Sequence, residues 1–506
     1  MGEDPVAPSA AETIPRLTPR ELDVLEEVGG HWRSVLGERL HGLRDLPVDP
    51  SLRFDQRRSR GRGRFVEISM FKPEGPDALE ATAEATKPVS RSGRVLESLQ
   101  RVVLGPPLRS SAVAHEKMRK LVALPVLSSD LLSSVAYGPE AMLSVLVIAG
   151  ASGLRLALPL SAALVVLMLA VGASYRQTIA AYPSGAGSYI VAGDNLGELP
   201  GLAAAVGLLA DYVLTVAVSV AAGIAAITSA VPSLDRWSVP LGLAAIALLL
   251  AGNLRGVREA GYLFAAPTYL FLLAMAILIG VGLAHAASRG FAAQPPPHPE
   301  AVQGLTILLV LRAFSSGATS MTGIESVANA VPAFEPPEWR NARTTLTWMV
   351  GLLVALFAGL MILIHLDGVV PRGHETLLSQ MAHTHLGSGI LYGFMQAATA
   401  LILLFAANTA FNGFPRLLYF MARQEHAPRA FLRMGDRLAF SNGIVVLAVG
   451  AAAIYVGFRG NTESLIPLFA VGVFLAVTLS QAGMVVRWWR TRERRWRTNL
   501  AVNGLG

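Results

Sequence analysis

The sequence lacks the residues on which redox chemistry and soluble folds depend. It contains no cysteine, which excludes disulfide bonds and thiolate metal sites. Charged residues make up only 15% of the 506 residues, whereas 53% are hydrophobic. This balance is typical of a protein that crosses a membrane many times.

Signatures of catalysis are also missing. The sequence has no Walker phosphate-binding loop, no Gly-x-Ser-x-Gly elbow and no His-Glu-x-x-His helix, so we expect neither enzymatic activity nor a cofactor. The 10 histidines form no convincing metal-binding set. The first hundred residues contain no apolar secretory signal. The net charge of +7 is better explained by orientation in a membrane than by nucleic-acid binding.

Ten apolar segments are long enough to be complete spans, since crossing a bilayer takes about 20 residues. The predicted spans are 121–149, 156–181, 202–231, 237–254, 260–284, 305–331, 345–365, 389–412, 442–458 and 465–486. After the last span and an arginine cluster, NLAVNGLG resembles the start of a truncated eleventh span.

Basic residues alternate between rich and poor loops along this series of spans. The rich loops, such as those around Arg340 and Arg429, are predicted to be cytoplasmic, and the N-terminus lies on the same side. Five spans in each half would place the second half upside down relative to the first. The sequence therefore predicts an all-α integral membrane protein with a 5+5 inverted repeat.

Four regions are expected along the chain. Residues 1–100 form an N-terminal cytoplasmic extension, partly disordered, with two short amphipathic helices in 18–45, a strand around Phe65 and a low-complexity linker over 74–95. Residues 101–120 form a juxtamembrane amphipathic segment, and 121–486 form the ten-span core. Residues 487–506 combine a basic cytoplasmic segment with the start of the eleventh span.

The first and sixth spans are interrupted by polar residues. The first reads LVALPVLSSDLLSSVAYGPEAMLSVLVIAG from Leu121, and the sixth reads LLVLRAFSSGATSMTGIESVANAVPAF from Leu308. A carboxyl in hydrocarbon is costly and normally marks an ion or substrate pathway. Two broken segments at corresponding places in the two halves predict a transporter with its binding site near the midplane.

Asp130 is the main candidate in the first break, where it would supply a fixed negative charge. Tyr137 follows two helical turns later and can return its hydroxyl to the same cavity, although interfacial packing explains it equally well. Glu325 is the carboxyl of the second break, and Thr322 lies on its helix face. A carboxyl that alternates between protonated and ionised states is what proton coupling requires. Ser129, Ser133 and Ser316 are supporting hydroxyls near these positions.

Asp211, Thr215 and Ser219 in the third span recur every four residues and therefore share one helical face. A carboxyl and two hydroxyls stacked in this way can flank a cation. The two hydroxyls alone are explained equally well by helix–helix packing.

Several motifs resemble those of the KimA branch of the KUP-type potassium transporters, in the amino acid–polyamine–organocation superfamily. They are LSSDLLSSVAYGPE, YPSGAGSYIVA followed by DNLG, RAFSSGATSMTGIESVANAVPAF and LIPLFAVGVFLAVTLSQAGM. The resemblance covers about residues 100–506 and implies a LeuT-like fold with proton-coupled potassium import. It implies potassium ligands at Asp130, Tyr137, Thr215, Ser219 and Thr322, and a proton-coupling acid at Glu325.

Two departures from the family pattern stand out. Phe469 occupies the place of a potassium-facing tyrosine, which removes one oxygen from the implied site. The family also continues into a cytoplasmic C-terminal domain implicated in dimerisation and in inhibition by a nucleotide second messenger, and neither property is carried over to this sequence. A homodimer is therefore left open.

The residues themselves leave other functions open. The closest rivals are an amino acid permease and a polyamine permease of the same superfamily. Against the first, Asp130 would repel the carboxylate of an amino acid. Against the second, the aromatic residues that pack an organic amine are sparse. A divalent-metal carrier is less well supported because neither break offers a Met and His pair. A channel would need a continuous pore, whereas the paired broken segments favour alternating access. From another class, a non-transporting membrane sensor or an inactive truncated fragment remains as an alternative.

Overall fold

The computed structural model describes residues 71–75, 78–81, 119–183, 185, 187–255, 261–296, 299–373, 375–432, 440–493 and 495–506. The chain divides into two compact units, Met1–Leu99 and Gln100–Gly506. The amphipathic helices predicted in 18–45 and nearly all of the juxtamembrane segment lie outside the described residues.

The described part of the first unit is a β-hairpin. Strand β1 (Phe71–Gly75) pairs antiparallel with β2 (Ala78–Ala81), with Lys72 opposite Glu80 and a bulge between Pro73 and Gly75. The prediction of a linker over 74–95 was therefore wrong at β2, where backbone pairing with β1 gives order to a segment of weak intrinsic strand propensity. The strand predicted around Phe65 lies outside the described residues, except at its end in β1.

The described part of the second unit is helical. Its helices are α1 (Lys120–Ser133), α2 (Gly138–Val147), α3 (Gly150–Leu154), α4 (Ala157–Ala181), α5 (Ser188–Leu196), α6 (Glu198–Ala230), α7 (Ser238–Leu254), α8 (Gly261–Ser288), α9 (Ile307–Ala318), α10 (Ser326–Asn329), α11 (Glu338–Asp367), α12 (Leu377–Leu386), α13 (Ile390–Arg423), α14 (Ser441–Gly457), α15 (Thr462–Thr491) and α16 (Trp496–Leu505). Short 3₁₀ turns cover Ser134–Ala136, Pro232–Trp237, Thr319–Met321, Val331–Ala333 and Arg429–Leu432.

Among the described residues, 8 helical stretches are long and apolar enough to cross a membrane. Two shorter apolar helices, Ile307–Met321 and Ser441–Gly457, lie where the sixth and ninth spans were predicted. The chain is thus an all-helical membrane protein over its described core. Several helices extend past the predicted spans, as α13 does to Arg423, because a helix can continue into the polar interface once its apolar stretch has ended.

Helix α6 lies at the centre and packs against both α13 and α15. Its crossing with α15 is close because Gly207 and Gly472 face the opposing backbones. A Cβ at Gly472 would lie 3.1 Å from the Asp211 backbone nitrogen. Small residues at such crossings let helix backbones approach within a membrane. This contact fixes the height of Asp211 against α15.

The glycine-rich segment between α4 and α6 folds as a tight helical hairpin. Helix α5 turns into α6 at Gly197, whose φ of 109° suits glycine, and a Cβ at Gly201 would lie 2.8 Å from Gly193 Cα. Tyr189 on α5 donates to Gln424 and lies 3.1 Å from His426 Nδ1 at the end of α13. Partial burial, with Glu198 nearby, raises the pKa of Tyr189, so its hydroxyl stays protonated.

Helix α12 connects α11 to α13 and is held by hydrogen bonds of its histidines to acidic residues. Asp367 accepts hydrogen bonds from Arg289 Nη2 at 2.6 Å and from His385 Nε2 at 2.6 Å. His385 stacks on His285, with ring centroids 5.5 Å apart. His383 pairs with Glu375 at 2.7 Å, and His374 lies outside the described residues. Within the described part of the chain, no cluster of three ligating side chains is arranged to hold a metal.

Candidate functional site

The first apolar segment breaks between α1 and α2, as predicted. The hydroxyls of Ser133 and Ser134 each donate to the Asp130 carbonyl oxygen at 2.9 Å. Pro139, the second residue of α2, has no backbone N–H to donate. The helical hydrogen bonds of α1 therefore cannot continue through it into α2. The break leaves the 3₁₀ turn Ser134–Ala136 and the residue Tyr137 between two half-helices.

The second break lies between α9 and α10. The 3₁₀ turn Thr319–Met321 leads to Thr322, whose ψ of 145° takes it out of the helix. Gly323 follows with a φ of 84°, a left-handed conformation that residues with a Cβ rarely adopt. The chain returns to a helix only after Glu325, at Ser326.

Three hydroxyls join the two breaks. Ser134 Oγ lies 2.9 Å from Thr322 Oγ1 and 2.9 Å from the Tyr137 hydroxyl oxygen. The Tyr137 hydroxyl oxygen lies 3.4 Å from Thr322 Oγ1. All three side chains are buried, so the cluster brings six lone pairs together in an interior with little water. We call Ser134, Tyr137 and Thr322 the hydroxyl cluster.

Each break also supplies a glycine that receives a polar residue of the other. A Cβ on Gly138 would overlap Ser320 Oγ. A Cβ on Gly323 would lie 2.8 Å from Asp130 Oδ2. These two contacts are reciprocal: the first half of the chain makes room for Ser320, and the second half makes room for Asp130.

Three carboxyls converge on this region. Asp130, Asp211 and Glu325 are each no more than 5% exposed. Asp130 Oδ1 and Glu325 Oε2 are buried and accept no hydrogen bond from any described residue. No lysine, arginine or histidine forms an ion pair with these carboxyls in the described part of the chain. Buried carboxylates of this kind need a cation or a proton.

The third-span residues lie on one buried face of α6, as predicted. Thr215 Oγ1 donates to Asp211 Oδ1 at 3.5 Å, and Ser219 is buried one turn further along. Next to Asp211, the Tyr212 hydroxyl accepts a hydrogen bond from Asn329 Nδ2 of α10 at 3.4 Å. The α6 helix therefore borders the second break at the height of Asp211.

The supporting residues have more local roles. Ser129 donates to the Val126 carbonyl oxygen at 3.5 Å, and Ser133 donates to that of Asp130. Ser316 lies in a separate polar cavity of about 110 Å³ between α2, α9 and α15, beside Glu463. Phe469 is fully buried in α15, three residues before Gly472 and hence on the face that meets α6.

Two residues of the site were missed in the sequence. Ser134 stands in the sequence as one more residue of the polar run in the first span, although its spacing of three from Tyr137 places both on one helix face. Gly323 was not singled out either, although a glycine between Thr322 and Ile324 in a broken helix is a signal for left-handed backbone. The contact of Ser134 with Thr322, 188 residues away, carries no local signal.

The family model for amino acid permeases matches residues 130–506 of this chain. The chain belongs to this family. It is also 45% identical, over 412 residues, to the potassium transporter KimA of Bacillus subtilis strain 168; the match covers 81% of this chain and 68% of KimA. The resemblance to the KimA branch drawn from the motifs is confirmed, and so is the expectation of a transporter and not an enzyme.

Solved structures give weaker matches. A manganese transporter of Eremococcus coleocola, in complex with an aromatic bis-isothiourea compound, matches with 14% identity and a TM-score of 0.37. This match covers 76% of this chain and 83% of the other. A histidine-to-alanine mutant of the same transporter matches with 12% identity, a TM-score of 0.36 and the same coverage.

Proposed function

We propose that this protein imports potassium by alternating access. One observation carries the proposal: three buried carboxyls and the hydroxyl cluster converge between two helix breaks, without a cationic side chain among the described ion pairs. Carboxylate, hydroxyl and unwound backbone oxygens are the ligands that potassium prefers. The relative KimA, which is named a potassium transporter, supports the same substrate.

The proposed potassium ligands are Asp130, Tyr137, Thr215, Ser219 and Thr322. Tyr137 and Thr322 share the hydroxyl cluster, and Asp130 abuts Gly323 next to Thr322. Thr215 and Ser219 line the α6 face that carries Asp211. Phe469 is buried in the packing of α15 but has no side-chain oxygen. The proposed site therefore has one ligand fewer than the family pattern implies.

Glu325 is the proposed proton-coupling acid. It is buried at the end of the second break, where its Oε2 accepts no hydrogen bond from the described residues. A proton on Glu325 would remove one of three mutually repelling charges, so binding of potassium and binding of a proton would influence one another. Coupling of this kind lets a proton gradient drive uptake.

The proposed architecture is a LeuT-like 5+5 inverted repeat of ten spans in 121–486, with the N-terminus cytoplasmic. The packing of α2 against α9, which belong to the first and sixth spans, supports this arrangement. Residues 1–100 would form the cytoplasmic extension, 101–120 the juxtamembrane segment and 487–506 the basic segment with the start of a further span. A homodimer stays open.

An amino acid permease is the closest rival because it shares the family. The carboxylate of an amino acid would meet Asp130, Asp211 and Glu325, which form no ion pair with a cationic side chain among the described residues. The contacts of 2.9–3.4 Å within the hydroxyl cluster also suit an atomic ion better than a larger zwitterion. A polyamine satisfies the charges but would need more space than these contacts leave.

Rubidium uptake into proteoliposomes tests the proposal. Rubidium should accumulate with the purified chain, and external potassium should compete for it, whereas an amino acid mixture and spermidine should not. Empty vesicles give the background. Accumulation of an amino acid or of spermidine, unaffected by potassium, would overturn potassium import. Background uptake of every solute by folded protein would favour the sensor or inactive fragment.

A further inference from the structure

A group of arginines lies at the proposed cytoplasmic ends of α4 and α11, and Glu338 is the acidic residue in the first turn of α11. Arg176 lies near the end of α4, and Arg340 and Arg343 lie in the first turns of α11. None of the three forms an ion pair among the described residues. The positive charges of Arg176 and Arg343 act on each other unfavourably. We call Arg176, Arg340 and Arg343 the arginine cluster.

The helix packing brings these charges together. A Cβ at Gly172 would lie 2.8 Å from Val350 Cγ2, so glycine at this position lets α4 approach α11 closely. One turn further along α4, Arg176 Nη1 donates to Thr347 Oγ1, and Thr347 donates to the Arg343 carbonyl oxygen at 2.8 Å. The guanidinium of Arg176 is therefore fixed one helical turn from Arg343.

Arg343 provides a second, independent indication of a ligand. Its Nε is buried and has no hydrogen-bond acceptor within the described part of the chain. The guanidinium carbon of Arg343 lies 5.8 Å from the centre of the Trp339 ring, and that of Arg340 lies 5.2 Å from it. The Trp339 ring holds the cations in place but supplies no anionic oxygen. An anion with several oxygens would satisfy both the free donor and the charge.

The surroundings favour a lipid as the source of that anion. Toward the membrane interior, Leu169 on α4 and Trp348 on α11 are 51% and 42% exposed, so acyl chains would lie beside them. Tryptophan and arginine together are typical of the membrane interface. Arginine forks match phosphate oxygens, and anionic phospholipids are enriched in the cytoplasmic leaflet.

We propose that Arg176 and Arg343 of the arginine cluster bind the phosphate of an anionic phospholipid, with Trp339 packed against the guanidinium of Arg343. The site is separate from the helix breaks and does not depend on the transported ion. Retained lipid can therefore be measured without any transport assay, and failure of potassium uptake would leave this proposal standing.

Native mass spectrometry of the full chain tests it, with phosphatidylglycerol and phosphatidylcholine of matched acyl chains. The unmodified protein should retain phosphatidylglycerol in preference to phosphatidylcholine. R176Q combined with R343Q should weaken that retention on the order of thirtyfold, because each interfacial arginine contributes about 1 kcal/mol. R155Q is the matched control, since Arg155 is exposed before the opposite end of α4. It should retain the lipid like the unmodified protein.

Other variants keep the test decisive. If the double variant does not fold, R343Q alone and the pair R176K with R343K replace it. The lysine pair keeps the charge but loses the fork, so its retention should be intermediate. Equal retention of both lipids by the unmodified protein, or unchanged retention in the glutamine variants, would overturn the proposal. Displacement of phosphatidylglycerol by millimolar inorganic phosphate would show that the ligand is free phosphate and not a lipid.

Discussion

Ser134 Oγ of the first helix break lies 2.9 Å from Thr322 Oγ1 of the second. This contact joins two segments that are far apart in sequence at the point where both have left helical geometry. Around it lie the carboxyls of Asp130 and Glu325, each buried and each with one oxygen that accepts no hydrogen bond from the described residues.

Asp130→Asn should abolish potassium uptake, because the amide keeps the shape but removes the charge that would balance a cation. The measurement is growth of a potassium-uptake-deficient bacterium at low potassium. Asp235→Asn, on an exposed turn, serves as the control and should support growth. Normal growth with the Asp130 variant, at equal protein level, would remove this carboxyl from the mechanism.

Thr322→Val should weaken binding of the ion and leave the maximum rate nearly unchanged. Loss of one hydroxyl ligand or hydrogen bond costs about 1 kcal/mol, so the KM for rubidium should rise on the order of fivefold. Thr399→Val is the matched control, since Thr399 is also buried but donates within α13 to the Met395 carbonyl oxygen. The same KM change in both variants would contradict a specific role for Thr322.

Glu325→Gln should make uptake insensitive to a proton gradient, because an amide cannot exchange a proton between two charge states. Rubidium uptake would be compared in vesicles with acid outside and in vesicles at equal pH. Glu300→Gln, at an exposed position, should behave like the unmodified protein. If acid still stimulates the Glu325 variant fully, another group couples the proton.

Gly323→Ala should impair transport through backbone strain and a clash. A left-handed φ costs a residue with a Cβ about 1–3 kcal/mol, and the added Cβ would lie 2.8 Å from Asp130 Oδ2. Uptake should fall on the order of tenfold. Gly351→Ala on α11 is the control, since a Cβ there meets no atom within 4 Å. Equal uptake by the two folded variants would argue against this packing.

Asp367→Asn should lower thermal stability without changing ion affinity. Breaking a buried ion pair costs about 3–5 kcal/mol, and the lower end applies because Arg289 is partly exposed. The melting temperature in detergent would measure the loss. Glu425→Gln, from an exposed pair with Arg429, should leave it almost unchanged. A melting temperature for the Asp367 variant equal to that of the control would show that the pair is not stabilising.

Much of the site was predictable because its signals are local. Carboxyls, glycine and proline inside apolar runs located both breaks, and the spacing of Asp211, Thr215 and Ser219 located the buried face of α6. Helix ends were less accurate, since α6 begins at Glu198 and not at 202. Nothing in the apolar pattern marks where a helix stops once it reaches the polar interface.

The remaining contacts depend on tertiary structure. Asp367 and His385 lie 18 residues apart, on different helices, so no helical periodicity pairs them. Arg176 and Thr347 come together only because Gly172 lets α4 approach α11. The strand Ala78–Ala81 likewise depends on its partner Phe71–Gly75. Residues that act through a distant partner carry no signature of it in their own neighbourhood.

Each helix break has a glycine packed against a polar side chain of the other break, and this arrangement limits which substitutions the sequence tolerates. Gly138 has no room for a Cβ while Ser320 keeps its side chain, and Gly323 has neither the room nor the backbone conformation for one. A substitution in one break therefore acts directly on a polar side chain of the other. We expect the sequences of the two breaks to constrain each other more strongly than the sequences of the helices around them do.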